Sequence, residues 1–139
     1  MLGYCHFMNI ILFFCVACGG ALGALLRYFL VTFIDQFGGQ RIFPWGIFVS
    51  NVTGAFFLGV LIEIIALRGA ASYEVRAFLY VGLLGGFTTF SAFTLDIVLM
   101  LQRGDFLRAS AYIISSVGFS CLALVAGMFF IRSIVGVKP

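Results

Sequence analysis

Four runs of apolar residues, at about 9–34, 44–67, 75–101 and 106–131, take up most of the 139 residues of this chain. Each exceeds the roughly 20 residues that an α-helix needs to cross the hydrocarbon core of a bilayer. The turns between them are short, leaving no room for a soluble domain. A membrane interior offers no water to a free amide or carbonyl, so spans of this kind fold as helices that pair their backbone groups internally. The fold class that follows is all-α: a single four-span transmembrane domain. Composition agrees, with 63% hydrophobic and 9% charged residues and a mean hydropathy of +1.21, against about 25% charge in soluble proteins. The eight Lys and Arg are scattered. They form neither a nucleic-acid surface nor a polybasic lipid site, so the surrounding partner is membrane lipid and not nucleic acid.

The first span is interrupted by Gly19, Gly20, Gly23 and one charge, Arg27, and a polar turn over 35–41 contains Gly38 and Gly39. The second opens at Pro44 and Trp45, where proline suits a first helical turn and tryptophan a membrane interface, and its only charge is Glu63. The middle of the third, Gly82-Leu-Leu-Gly85-Gly86-Phe-Thr88-Thr89-Phe90-Ser91, is poor helix material. The fourth precedes Arg132 and Lys138. Cys15 and Cys18 form a C-x-x-C among Phe13, Phe14, Val16 and Ala17 with no His or carboxylate nearby, so they read as small buried packing residues. No Lys or Arg precedes this apolar run, and it continues past Cys18, which reads as an uncleaved first helix.

Lys and Arg bias between the two membrane sides normally sets orientation. Here Arg68, Arg76, Arg132 and Lys138 fall on one side and Arg27, Arg41, Arg103 and Arg108 on the other. A chain so balanced has no electrostatic reason to prefer one insertion, and an antiparallel homodimer becomes possible. Unequal weighting of the loops would instead fix one orientation.

Within the spans, Gly19-x-x-x-Gly23 and Gly82-x-x-x-Gly86 supply the small residues that let helices approach closely in lipid. Gly85 and Gly86, followed at once by Thr88, Thr89 and Ser91, predict a break in the third helix at membrane depth. The freed carbonyls are tolerable there only where protein or an ion satisfies them. Two copies meeting antiparallel would set such carbonyls face to face as an all-oxygen cage, which suits a hard cation such as Na⁺. Phe90 and Phe93 share a helical face; the pair is ordinarily core, yet a phenyl ring has a positive edge that can meet a small anion. Tyr112, Ser116 and Ser120 lay three hydroxyls on one stripe of the fourth span, where bonding back to their own helix is the alternative. Asn51 brings an amide to membrane depth, where it either glues helices or faces an anion. Arg27, as an embedded guanidinium, either snorkels or stands at a water-filled vestibule. Glu63 and Asp96 are off-centre and unaccompanied.

Gly19-Gly20-x-x-Gly23-Ala24-x-x-Arg27-Tyr28, then Asn51-x-x-Gly54, then Gly85-Gly86-Phe87-Thr88-Thr89-Phe90-Ser91-x-Phe93 resemble, in order and spacing, the Fluc (CrcB) family of fluoride channels over nearly the whole chain. The resemblance implies an antiparallel dual-topology homodimer with two pores, passing F⁻ passively out across the bacterial plasma membrane. It further implies that Phe90 and Phe93 line the pores by their ring edges and that Asn51 is the pore amide. Tyr112, Ser116 and Ser120 would be the polar track, Arg27 the vestibule cation, and the main-chain oxygens of Gly85 and Thr88 the holders of a structural Na⁺. Ala92 stands where many members carry a hydroxyl.

Two other classes compete. A small multidrug exporter also has about four spans, but it would want a central carboxylate in the first span, which is lacking here. A scaffold protein would need only the glycine motifs and leaves Arg27 and the hydroxyl stripe unexplained. Enzyme chemistry is disfavoured, because the single His, His6, precedes the first span and no base partners a nucleophile.

Overall fold

The computed structural model of the chain describes residues 2–37, 43–69 and 71–136. The predicted turn residues Gly38, Gly39 and Arg41, and Lys138 near the C-terminus, lie outside the described residues. Regular structure among the described residues is entirely helical. The chain runs as α1 (Leu2–Phe37), α2 (Trp45–Arg68), α3 (Tyr73–Arg76), a π-helical stretch Ala77–Leu84, α4 (Gly85–Phe87), α5 (Phe90–Gln102) and α6 (Phe106–Val135). Four stretches are long and apolar enough to cross a membrane: Ile10–Gln36, Trp45–Leu67, Tyr73–Gln102 and Phe106–Val135. Only 11 to 22% of their most apolar windows is buried within the subunit, so most of their apolar side chains face outward, as lipid-solvated helices do.

Local chemistry sets the helix ends. Pro44 precedes the first turn of α2, where a missing N–H costs nothing. Gly69 ends α2 at φ 64°, a left-handed conformation that strains any residue with a Cβ, and sends its N–H to the Ile65 carbonyl at 2.9 Å. Thr89 caps α5, its hydroxyl accepting the Ala92 N–H at 3.3 Å.

Packing in lipid depends on close backbone approach, and glycine supplies it along two seams. On the first, Gly19, Gly20 and Gly23 of α1 lie against the third span, Gly19 on Gly82, Gly20 on Gly86 and Gly23 on the backbone of Leu83 and Phe87. A Cβ on Gly82 would stand 2.9 Å from the Gly19 Cα, and one on Gly86 only 2.6 Å from the Gly20 carbonyl oxygen. On the second, α2 meets α6 through Gly59, whose Cβ would strike the Leu124 carbonyl, and Gly127, whose Cβ would strike that of Phe56. This second seam was not singled out from sequence. A small core of Phe93, Met100, Ala109 and Tyr112 joins α5 to α6, with Phe43, Ile47, Phe48 and Ile97 packed around it.

Two expectations are corrected. Glu63 is not unaccompanied: its carboxylate takes a two-pronged ion pair from Arg132, Nε to Oε1 at 2.9 Å and a terminal guanidinium nitrogen to Oε2 at 3.3 Å. The pair spans 69 residues of sequence and ties α2 to α6. Cys18 is exposed and Cys15 half-buried, so the C-x-x-C faces largely outward. The hydropathy of a lipid-bathed helix does not distinguish its lipid-facing side from its protein-facing side.

Candidate functional site

Thr88 and Thr89, between α4 and α5, have extended backbones at φ −83°, ψ 153° and φ −148°, ψ 122°. An extended residue turns its own N–H and C=O to one side and the preceding carbonyl to the other. Both groups of Thr89 meet Asn51 of α2: the N–H donates to Oδ1 at 2.8 Å, and Nδ2 donates to the carbonyl at 3.1 Å. One residue earlier in α2, the buried Ser50 hydroxyl donates to the Phe87 carbonyl at 2.9 Å. From the other flank, Arg27 of α1 donates its Nε–H to the Gly86 carbonyl at 3.2 Å. The Leu84 carbonyl accepts from both the N–H and the hydroxyl of Thr88, at 2.9 and 3.0 Å.

Two carbonyls are left over. Those of Gly85 and Thr88 accept no hydrogen bond among the described residues. Gly85 is exposed on the outside of the subunit and Thr88 half-buried. No group of three or more His, Cys, Asp or Glu able to hold a metal occurs among the described residues. Free carbonyls are the ligand type that a hard cation takes.

Beside this junction, Phe90 stands 76% exposed while Phe93 is 7% exposed, their ring centroids 5.7 Å apart. Phe93 continues to Tyr112 of α6 at 5.0 Å. Tyr112 is fully buried, yet its hydroxyl has no hydrogen-bond partner. The buried Ser116 hydroxyl and Asp96 Oδ2 are also without one of ordinary length, and the Asp96 carboxylate faces the Tyr112 hydroxyl as a more distant acceptor. Ser120, one turn beyond Ser116, is half-buried. Other hydroxyls in these helices do turn back on their own backbone: Ser115 to Tyr112, Ser133 to Phe130 and Thr94 to Phe90. Tyr112 and Ser116 therefore depart from the local habit and keep polar capacity at depth.

The structure thus brings Asn51, Thr88 and Gly85 to one junction with Arg27, and sets Phe90, Phe93, Tyr112 and Ser116 along α5 and α6. Arg27 is half-buried against the third span, its terminal nitrogens without a protein partner among the described residues. Ser50 was missed from sequence. Its one signal was a hydroxyl immediately before Asn51.

Four helices long and apolar enough to cross a membrane, with a half-buried arginine and buried hydroxyls among them, define a small multi-pass membrane protein. Residues 14–128 match the family described as CrcB-like protein, Camphor Resistance (CrcB), and the chain belongs to that family. It is 48% identical over 120 residues to a protein of Rhizobium meliloti (strain 1021), covering 86% of this chain and 95% of that one. A protein of Rhizobium etli (strain CIAT 652) is 45% identical over 121 residues, 87% and 96% of the two chains. One of Chelativorans sp. (strain BNC1) is 45% identical over 120 residues, 86% and 95%. All three relatives carry the name fluoride-specific ion channel FluC. The family is one of channels and not of enzymes, and the chain is a multi-pass protein of the plasma membrane.

Proposed function

We propose that this chain is a fluoride channel that lets toxic cytoplasmic F⁻ leave passively, working as an antiparallel homodimer with two pores and a structural Na⁺ between the subunits. The observation that carries the reading is the set of unspent polar groups along the Phe90–Phe93–Tyr112–Ser116 row, in a chain whose relatives are named for fluoride conduction.

Fluoride is small and strongly hydrated, so a pore must replace its water with donors. Tyr112 and Ser116 have hydroxyls that make no hydrogen bond of ordinary length to the protein, the Asp96 carboxylate standing further from Tyr112, and Ser120 extends that stripe. Asn51 commits one N–H and its oxygen to Thr89 and retains a second N–H. The positive edges of the Phe90 and Phe93 rings add weak contacts that hold an anion without trapping it. Several modest sites in series favour conduction over retention. Arg27, with terminal nitrogens unspent, raises the local concentration of anions at the entrance.

A mid-membrane break of the third helix is supported by the extended backbone of Thr88 and Thr89. The free Gly85 and Thr88 carbonyls support both the second copy and the cation. Left facing lipid, an unpaired carbonyl costs several kcal/mol, whereas facing their twofold mates they complete an oxygen cage. Na⁺ bound there would supply the positive charge that joins the two subunits. The even split of basic residues supports insertion in both orientations.

The test is efflux from liposomes followed with a fluoride-selective electrode. Passive, electrogenic F⁻ release that needs no proton gradient is expected from the wild-type protein. Proton-coupled exchange, or no release at all, would overturn the reading.

A further inference from the structure

We propose that Ser50 is a positioning residue for the cation site, fixing through its hydrogen bond to Phe87 which backbone oxygens remain for the ion. The inference rests on the reading above, in which Gly85 and Thr88 carbonyls hold Na⁺, and it concerns a residue outside that ligand set.

Every carbonyl from Leu84 to Thr89 except those two is occupied, and three of the occupants are side chains from other spans: Arg27 on Gly86, Ser50 on Phe87 and Asn51 on Thr89. Which oxygens are free is therefore decided by which side chains reach the junction. Ser50 is fully buried, so its single hydroxyl proton has no water to go to. Thr53, a turn later in α2, returns its hydroxyl to the carbonyls of Val49 and Ser50 at 2.7 and 3.2 Å, the ordinary behaviour of a hydroxyl in an apolar helix. Ser50 instead reaches 37 residues along the chain to another span.

The peptide unit it reaches is gripped at both ends. Ser50 holds the Phe87 carbonyl, and the Thr88 N–H of the same unit is held by Leu84. The next unit carries the Thr88 carbonyl, with its N–H fixed by Asn51. Backbone alternation then turns the Phe87 and Thr89 carbonyls towards α2 and the Thr88 carbonyl away from it, towards the outside. Without the Ser50 donor, the Phe87–Thr88 unit is free to swing. A buried, unpaired Phe87 carbonyl would then compete for the cation with the two oxygens now presented to it. Asn51 cannot substitute, since its oxygen and one N–H are committed one residue later.

The experiment measures thermal stability of the purified full-length protein against Na⁺ concentration at constant ionic strength, after exhaustive exchange into N-methylglucamine, together with fluoride efflux at saturating Na⁺. Ser50→Ala is expected to raise the Na⁺ concentration for half-maximal stabilisation by about fivefold or more, the worth of one buried hydrogen bond, while efflux at saturating Na⁺ persists. Ser50→Thr, which keeps the hydroxyl, should restore the wild-type midpoint, and Thr53→Ala should leave it unmoved. If Ser50→Ala does not purify, Ser50→Cys, with similar volume and a weaker donor, must show the same shift. A wild-type midpoint in Ser50→Ala, a Ser50→Thr protein that behaves like Ser50→Ala, or an equal shift in Thr53→Ala each overturns the inference and leaves the cation reading standing. A wild-type protein whose stability ignores Na⁺ removes both.

Discussion

Asn51 pairs with Thr89 as one strand residue pairs with another, taking its N–H at 2.8 Å and giving an N–H to its carbonyl at 3.1 Å. A side chain from α2 thus does for an extended residue of the third span what a neighbouring strand would do in a sheet. Read from sequence, Asn51 was either helix glue or an anion-facing donor. In the structure it is glue by its oxygen and one N–H, and the proposed anion contact falls to the second N–H.

Asn51→Ala strips both partners from Thr89 and leaves two half-buried backbone groups unpaired, so a loss of about 2–4 kcal/mol in stability is expected. Asn51→Asp keeps the acceptor for the Thr89 N–H, loses the donor, and adds a negative charge beside the proposed anion path. It should be more stable than Asn51→Ala and yet equally devoid of fluoride efflux. Thermal unfolding in detergent and electrode-monitored efflux check the pair, and an Asn51→Asp protein that conducts normally would remove Asn51 from the path.

The two phenylalanines of α5 should separate by stability. Phe93 is buried against Tyr112, whereas Phe90 stands largely outside the subunit. Phe93→Ala is expected to cost about 3–5 kcal/mol through the cavity it opens. Phe90→Ala should cost at least about 2 kcal/mol less, because an exposed ring leaves no cavity. Both should lower efflux if both rings face the anion. Equal destabilisation, or undiminished efflux from either variant, would contradict the assignment.

What could be read from the chain follows from what lipid demands of it. Four helices were legible because a spanning segment announces itself by length and apolarity, and the Gly19/Gly23 and Gly82/Gly86 stripes because close approach in lipid leaves little choice but glycine. Gly85-Gly86 and the threonines after them marked backbone ill-suited to a helix, and there the Thr88 and Thr89 dihedrals are extended. The partners were not legible. Ser50 with Phe87, Glu63 with Arg132 and Gly59 with Leu124 each join residues of different spans, and an apolar run carries no mark of which face meets protein and which meets lipid. For the same reason Cys18 was misread as buried. The π-helical turns of Ala77–Leu84 have no sequence signature either, since helix width is set by what the segment packs against.

The Glu63–Arg132 pair has a carboxylate side chain only 5% exposed and a guanidinium side chain 35% exposed. Arg132 also stands 5.8 Å from the centre of the Phe129 ring. Removing the arginine leaves the buried Glu63 carboxylate unpaired, so Arg132→Gln is expected to lower the unfolding temperature more than Glu63→Gln, which leaves only a partly exposed guanidinium without its partner. The double variant should lose less than the two single losses together. Efflux should be essentially unchanged, because among the described residues no hydrogen bond joins this pair to the junction residues. A coupling near zero in thermal unfolding would make the contact incidental.

Tyr112→Phe provides the sharpest separation of folding from conduction. The usual consequence of deleting a buried hydroxyl is the loss of a full hydrogen bond, but the Tyr112 hydroxyl makes none of ordinary length and has only a longer approach to the Asp96 carboxylate to lose. Its removal relieves the cost of a poorly paired hydroxyl at depth and takes from Asp96 only a long contact, so stability should change by no more than about 1 kcal/mol. The aromatic contacts with Phe43 and Phe93, at 5.1 and 5.0 Å, depend on the ring and survive. If the hydroxyl is held in reserve for a dehydrating anion, fluoride efflux should nevertheless fall, and fall further when Ser116→Ala is added, because the two groups form successive steps of one stripe. Side-by-side unfolding curves and efflux traces decide it. A Tyr112→Phe protein that is less stable and conducts normally would mean that the hydroxyl serves the fold and not the ion.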